Sequence, residues 1–487
     1  MNDLRPFDDA AGREGAGETA TPLYRQLYDR IVQSILDGRL QPGDRLPSAR
    51  AYANETGVAR GTVDAAYGML AGNGFIDTRP RIGTIVARRP PAGNDDLPGT
   101  SPAVASTKST RSWRPDALLP LTPGVPALDL FPRKIWAQAI GRAARATSGT
   151  DMIYPDAAGL PQLRGAIATQ LGVSRGIVCS PEQIVVTGGF QSGLTLIMRE
   201  LAGRGRSVWL EDPGYPISGA AVRQAGLGQI MVPVDREGLS VDAGRALDPH
   251  AALCVVTPAH QYPLGTAMSL ARRQQLLAWA YEQGAWVVED DFDGEFRSDG
   301  RSLPSLKSID EGERVLYAGT FSKSLFPGLR LGYIVAPRPI ADRLRRTLRV
   351  SEGGRSIVDQ TAVADLLASG QFARHVQRMR IAYATRREAM TRAIEAEFAG
   401  GAQIDQAIGG LHLLLRIPGE GSRFAHFDPL RPEGLGALAL ARLTAREDLR
   451  DALLVGFANV PERRAPALAK RLAEAITRGP PTLDAAP

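Results

Sequence analysis

Leu23, Leu27, Ile31 and Ile35 recur at every fourth position, with Tyr24, Tyr28 and Val32 beside them and polar residues between. That spacing predicts an amphipathic helix ending near Gly38. A second helix is expected to start after the Ser48 cap and to stop at Gly57. A third should run from Arg60 to about Ala71 after a Val58-Ala59 turn, which is the layout of a helix-turn-helix. Phe75 to Thr78 and Thr84 to Ala87 then alternate as two short strands around Arg79-Pro80-Arg81-Ile82-Gly83, a β-wing tipped with two arginines. From Pro115 onward the pattern changes. Apolar runs such as QIVVTGG, SVWLEDPGY, ALCVVTPAH, AWVVEDDFD and RVLYAGTFSK alternate with longer helical stretches. They predict a buried parallel sheet covered by helices on both faces.

The segment between these two patterns, Pro90 to Arg114, is rich in Pro, Ser, Thr, Gly and Ala and nearly free of large apolar residues before Trp113. It reads as a flexible linker, and 22 such residues would span about 25 Å. The organisation expected is therefore a disordered tail over 1–20, a first domain over 21–89, the linker over 90–114 and a large domain over 115–487. The whole is 487 residues with 44% hydrophobic content, enough apolar material for more than one core. The opening stretch to Ala20 has neither a basic n-region nor a long apolar run, so a cytoplasmic location and no membrane partner are expected. Cys179 and Cys254 stand far apart and outside any Cys/His cluster, which argues against a bound metal.

Net charge is +6, modest for this length. Its distribution says more: residues 21–90 hold ten Arg, no Lys and six acidic residues. A basic three-helix block could be a solvated interaction surface. A helix-turn-helix, however, aims the first residues of its second helix at major-groove base edges, where Arg bonds guanine bidentately. Arg60 and Thr62 hold those positions. The stretch LYRQLYDRIVQSILDGRLQPGDRLPSARAYANETGVARGTVDAAYGMLAGNGFI closely resembles the winged helix-turn-helix of GntR-type regulators, through PGxxLPSxR, GVxRxTV and AYxxLxxxG. The resemblance implies that Arg50, Arg60 and Thr62 contact double-stranded operator DNA, with Arg79 and Arg81 on the wing.

The large domain carries a different chemistry. Pyridoxal 5'-phosphate requires a lysine amine, an acid facing its ring nitrogen, a flat partner for the ring and a phosphate cradle. In GTFSKSLFPGLRLGYIVAP, Lys323 follows an apolar strand and is accompanied by Thr320, Ser322 and Arg330, groups suited to a phosphate dianion. Asp290 closes the apolar run before it, at the carboxyl edge of a strand where open α/β sheets bind ligands. Alternatively, the acidic run Glu289 to Asp293 is a solvated loop or a divalent-cation site. Gly188 and Gly189, just before Phe190 at a helix start, would offer backbone N–H groups to an anion. Tyr215 in EDPGYP could stack on the ring.

Together these runs resemble fold-type I aminotransferases, and the chain from about Leu121 resembles the MocR family, which joins that fold to a GntR-type domain. The fold class expected is thus multi-domain: an N-terminal winged helix-turn-helix, α with a small β-wing, plus a C-terminal α/β fold-type I aminotransferase-like domain. The resemblance makes Lys323 the Schiff-base residue, Asp290 the partner of the pyridine nitrogen, Tyr215 the stacking ring and Arg330 a phosphate ligand. It also implies that Tyr154, in Tyr154-Pro-Asp-Ala-Ala-Gly159, reaches the cofactor phosphate of a neighbouring subunit in a homodimer. Phe292 stands where relatives commonly carry Tyr, so a hydroxyl at the ring's phenolic oxygen is either absent or supplied by Tyr262. Near the C-terminus Asp451 lies close to the place where aminotransferases keep a carboxylate-binding Arg, with Arg450 adjacent. His260 and His412 are candidates for the pocket wall or for ordinary packing.

The leading expectation is a transcriptional regulator whose DNA binding is controlled by the cofactor or by a small-molecule effector: an amino acid, an amine or pyridoxal 5'-phosphate itself. A working aminotransferase and an architectural DNA-binding protein with an inert scaffold are the alternatives.

Overall fold

The computed structural model describes residues 22–79, 83–87, 119–203, 205–296, 304–405, 409–419, 430, 433–444 and 446–477. The expected tail over 1–20, the expected linker over 90–114, Arg81 and the side chain of Arg79 lie outside the described residues. The chain divides into two compact units, Met1–Ser112 and Trp113–Pro487.

In the first unit α1 (Leu23–Leu36), α2 (Ala49–Thr56) and α3 (Arg60–Gly72) precede a hairpin of β1 (Ile76–Arg79) and β2 (Gly83–Val86). Ser48 caps α2 by accepting the Ala51 N–H, and Gly57 ends it in a left-handed conformation with φ 70°. Leu27, Ile31, Tyr52, Val63, Leu70, Ile76 and Val86 form a fully buried core. The segment before α2 is tied to the wing, since Leu46 N–H donates to Thr84 O and Gly43 N–H to Val86 O, both at 2.9 Å. The two helices of the expected helix-turn-helix are thereby fixed against the hairpin.

The second unit is built on an eight-stranded sheet of order β3-β10-β9-β8-β7-β4-β5-β6. Its strands are β3 (Ile184–Thr187), β4 (Ser207–Asp212), β5 (Gly228–Asp235), β6 (Gly238–Leu239), β7 (Leu253–Val256), β8 (Trp286–Asp291), β9 (Val315–Thr320) and β10 (Gly332–Val335). Strands β5, β4, β7, β8 and β9 run parallel, as the continuous apolar runs predict. The expectation of a wholly parallel sheet needs correction, because β10 is antiparallel to both β9 and β3, and β6 to β5. The chain from Thr320 to Gly332 holds only a single turn of 3₁₀ helix and cannot carry a crossover helix, so β10 must return antiparallel.

Helices α4 (Arg133–Ala146), α5 (Pro161–Arg175), α6 (Phe190–Ile197), α7 (Pro216–Gln224), α8 (Val241–Leu247), α9 (Leu270–Gln283), α10 (Arg338–Ser351) and α11 (Ile357–Ala368) accompany the sheet. The 28-residue α12 (Gln371–Phe398) leads into a four-stranded antiparallel sheet, order β11-β12-β14-β13, packed with α13 (Ala465–Thr477). Those strands are β11 (Gln403–Ile404), β12 (His412–Arg416), β13 (Leu438–Ala439) and β14 (Ala452–Gly456). Among the described residues no helix is long and apolar enough to cross a membrane.

Candidate cofactor site at the carboxyl edge of the sheet

The parallel strands β4, β7, β8 and β9 all end on one edge, and the residues just beyond them surround a cavity of about 300 Å³. Among its lining residues are Tyr215, Tyr262, Asp290, Thr320, Lys323 and Arg330. Open α/β sheets bind ligands there because loops diverge at the strand ends and leave a crevice.

The acidic run from Glu289 to Asp293 contributes four buried carboxyl groups rather than a solvated loop, which corrects that alternative. Three have protein partners. Glu289 accepts the Leu306 and Lys307 N–H groups, both at 2.8 Å. Asp291 is held by Arg175, by the Tyr317 hydroxyl at 2.6 Å and by the Gly294 N–H at 3.0 Å. Asp293 accepts from His260 Nδ1 at 3.0 Å. The fourth, Asp290, is 6% exposed, and its Oδ1 is buried with no hydrogen-bond partner among the described residues. Burial, reinforced by Asp291, Glu211 and Asp293, pushes its pKa well above the usual carboxylate range, with Lys323 opposing. A buried acid whose oxygen lacks a hydrogen-bonding partner is costly, and Asp290 lines the cavity.

Lys323 lies in the turn after β9, anchored by the buried side chains of Phe321, Ser324 and Leu325. Its Nζ donates to Gly124 O at 2.6 Å. Burial lowers the ammonium pKa, against the attraction of Asp293 and Asp290. A lysine in that condition gives up its proton more readily and becomes a nucleophile. Tyr215 directly precedes α7 and lines the cavity, where Tyr262 meets its ring edge-on at 5.6 Å. Tyr262 and Phe292 also line the cavity, their rings 6.0 Å apart and nearly perpendicular.

At the other end the cavity meets a helix start and an arginine. Gly189 precedes α6 at φ 95°, a conformation open to glycine, and the helix begins with its N–H groups unsatisfied by any side-chain cap. Arg330 is held at φ 51°, unusual for a residue with a side chain, and its guanidinium lies close enough that a methyl group on Gly189 would be 3.6 Å away. Thr320 Oγ1 donates to Ser322 Oγ at 3.1 Å beside it. Sequence reasoning missed a second guanidinium. A methyl on Gly188 would stand 2.9 Å from that of Arg355.

The other expected residues are not gathered into this cavity. Tyr154 is 93% exposed and lies with Arg345 and Arg349 along a separate groove. Of the two histidines, His412 lines the cavity and donates from Nε2 to Pro263 O, whereas His260 is buried against Asp293. Asp451 accepts the Gly419 N–H, Arg450 pairs with Glu447, and neither lines the cavity. In the first unit Arg50 and Arg60 are exposed, with Arg60 only loosely paired to Asp64 at 3.5 Å, while Thr62 is half-buried.

Comparison with known proteins matches residues 118–471 to aminotransferase class I and II and residues 23–86 to the gntR family of bacterial regulatory proteins. The chain is 36% identical over 406 residues to the probable rhizopine catabolism regulatory protein MocR of Rhizobium meliloti, covering 81% of this chain and 82% of that protein. It is 34% identical to the HTH-type pyridoxine biosynthesis transcriptional regulator PdxR of Corynebacterium glutamicum, covering 94% and 97%. Among solved structures it is similar to the kynurenine aminotransferase of Pyrococcus horikoshii in complex with PMP. There the TM-score is 0.66 at 27% identity, over 74% of this chain and 91% of that one. The α-aminoadipate aminotransferase LysN of Thermus thermophilus, complexed with N-(5'-phosphopyridoxyl)-L-leucine, gives 0.67 at 27%, over 74% and 92%.

Proposed function

The chain belongs to the MocR family of DNA-binding transcriptional regulators, and we propose that pyridoxal 5'-phosphate held on Lys323 controls how its winged helices bind an operator. The observation that carries this reading is the unpartnered Oδ1 of Asp290, buried in the same cavity as Lys323. A protonated ring nitrogen would supply the hydrogen-bond donor that Asp290 Oδ1 lacks. Arg330, Thr320, Ser322 and the N–H groups at the start of α6 would receive the phosphate, and Tyr215 and Phe190 would flank the ring. Bound there, the cofactor supplies an electron sink. The chain's own residues orient it, exclude water and hold the proton opposite Asp290. Loading is tested by reconstituting the cofactor-free protein and following the near-visible absorbance band.

Sensing is favoured over turnover by the C-terminal end of the site. Neither Arg450 nor Asp451 lines the cavity, and Arg330, the one arginine among the described lining residues, would be taken up by the phosphate. An incoming amino acid, amine or free cofactor is therefore a candidate effector rather than a routine substrate.

On the DNA side Arg60 stands exposed at the first position of α3, where a recognition helix addresses base edges. Arg60→Ala is expected to cost about 1–3 kcal/mol on the specific operator and to relax selectivity at one base position. Binding assays on operator and random DNA check this, since equal weakening on both would mean a phosphate contact instead.

Tyr154 bears on assembly. Its ring is exposed, as are its neighbours Met152 and Ile153, an apolar patch suited to a second copy of the chain. With Tyr154 donating to the partner's phosphate, Tyr154→Phe should weaken cofactor retention while operator half-site binding by the winged helices persists. Light scattering of the cofactor-loaded protein should give a dimer. A monomer holding stoichiometric cofactor would leave the Tyr154 hydroxyl without this role.

A further inference from the structure

We infer that Arg355 is a second phosphate ligand held in reserve by Glu352, so that an incoming phosphate must compete with that carboxylate for the guanidinium. The inference rests on the cofactor reading above. It begins from Gly188 and Gly189, which end β3 and lead into α6. The guanidinium of Arg330 lies over Gly189 and that of Arg355 over Gly188. At Gly188 a single added methyl would collide with the Arg355 guanidinium carbon and Nη2, both at 2.9 Å. With a larger residue at Gly188 the Arg355 guanidinium would have to shift from this position.

Two cations so placed repel each other, and both burial and Arg330 lower the Arg355 pKa. Glu352, the residue just after α10, places its carboxylate against Arg355 Nη2. Glu352 in turn accepts the Ser192 hydroxyl at 2.9 Å, and Ser192 lies in the first turn of α6. A carboxylate therefore sits beside the helix start, where backbone N–H groups favour negative charge. It is a built-in anion at the margin of a site made for a stronger one.

The charges decide the order of preference. Arg330 and Arg355 bring two positive charges and Glu352 removes one. A phosphate dianion is the better partner for two guanidinium groups, because it offers three acceptor oxygens and more charge. Arg355 then turns from Glu352 to the phosphate, and Glu352 retains the Ser192 hydroxyl. The ligand class recognised is a phosphate monoester, and the pyridine ring plays no part in this contact.

Cofactor-free full-length protein is titrated with pyridoxal 5'-phosphate, with pyridoxal and with inorganic phosphate as competitor, following near-visible absorbance. Arg355→Ala should weaken pyridoxal 5'-phosphate about tenfold or more, equal to 1.4 kcal/mol per tenfold, and should leave pyridoxal unchanged. Inorganic phosphate should compete less well in that variant. Glu352→Gln should tighten pyridoxal 5'-phosphate by about threefold, a gain that misfolding cannot produce. If the wild-type chain binds no pyridoxal 5'-phosphate, the cofactor reading itself falls. If wild type binds it and Arg355→Ala binds it equally well, or weakens pyridoxal to the same degree, Arg355 is no phosphate ligand. A Glu352→Gln variant that binds more weakly would overturn the competition.

Discussion

Lys323→Ala is expected to abolish the near-visible band of the reconstituted protein and to leave no borohydride-reducible adduct on the chain. The expected loss is complete because the amine does what no neighbour can. Lys323 Nζ alone among the chain's lysines lies in the cavity with Asp290, Tyr215 and the anion-binding end, as far as the described residues go. Burial lowers its pKa against the attraction of Asp293 and Asp290, which eases loss of the ammonium proton. The variant should stay folded, since the side chain makes a single hydrogen bond, to Gly124 O. Reduction followed by peptide mapping decides the matter. An adduct persisting on a different lysine would move the attachment site.

The second large effect concerns stability. Arg175→Ala should destabilise the large unit by about 3–5 kcal/mol, because it strands Asp291 as a buried, uncompensated charge. Arg175 at the end of α5 is 5% exposed and pairs with Asp291 at the end of β8, next to Asp290. All five tryptophans lie at or beyond Trp113, so their fluorescence during urea unfolding reports this unit separately from the winged helices. The pair also sets a pH dependence. Burial raises the Asp291 pKa, but Arg175 and the hydrogen bonds to Tyr317 and Gly294 outweigh it and hold the carboxyl below its usual value. Stabilisation of that sign is present above the unfolded carboxylate pKa near 3.9 and is lost as pH falls through the folded one. Without Arg175 the same burial raises the Asp291 carboxyl instead, so the difference between wild type and Arg175→Ala should widen as pH rises above about pH 4 and shrink on acidification. A difference that stayed constant on acidification would assign the loss to packing.

Those two residues also mark what could be read along the chain and what could not. Lys323 and Asp290 were legible because each sits at the end of a continuous apolar strand, a local signal that places a side chain at the ligand-binding edge. The winged unit was legible for a similar reason, with Ser48, Gly57 and the fourfold apolar spacing all acting within a few residues. The acidic run was ambiguous on its own terms. What distinguishes Asp290 from Glu289, Asp291 and Asp293 is partners drawn from Arg175, His260, Tyr317 and the Leu306–Lys307 backbone, none visible from a run of five residues. Arg355 was missed because it meets Gly188 only after β3, α6 and the end of α10 have packed, across 167 positions of sequence. The antiparallel course of β10 could have been anticipated from the short connection after β9, where the apolar run alone suggested another parallel strand.

Occupancy of the Lys323 site should change operator binding. Fluorescence anisotropy with one labelled operator tests it most directly, comparing the cofactor-free chain, the chain loaded with pyridoxal 5'-phosphate and Lys323→Ala with the same ligand. The loaded wild type should differ from the cofactor-free form by about fivefold or more in affinity, the scale of ordinary allosteric coupling. Lys323→Ala should stay at the cofactor-free value. Identical affinities in all three, with the near-visible band confirming that the wild type was loaded, would contradict it.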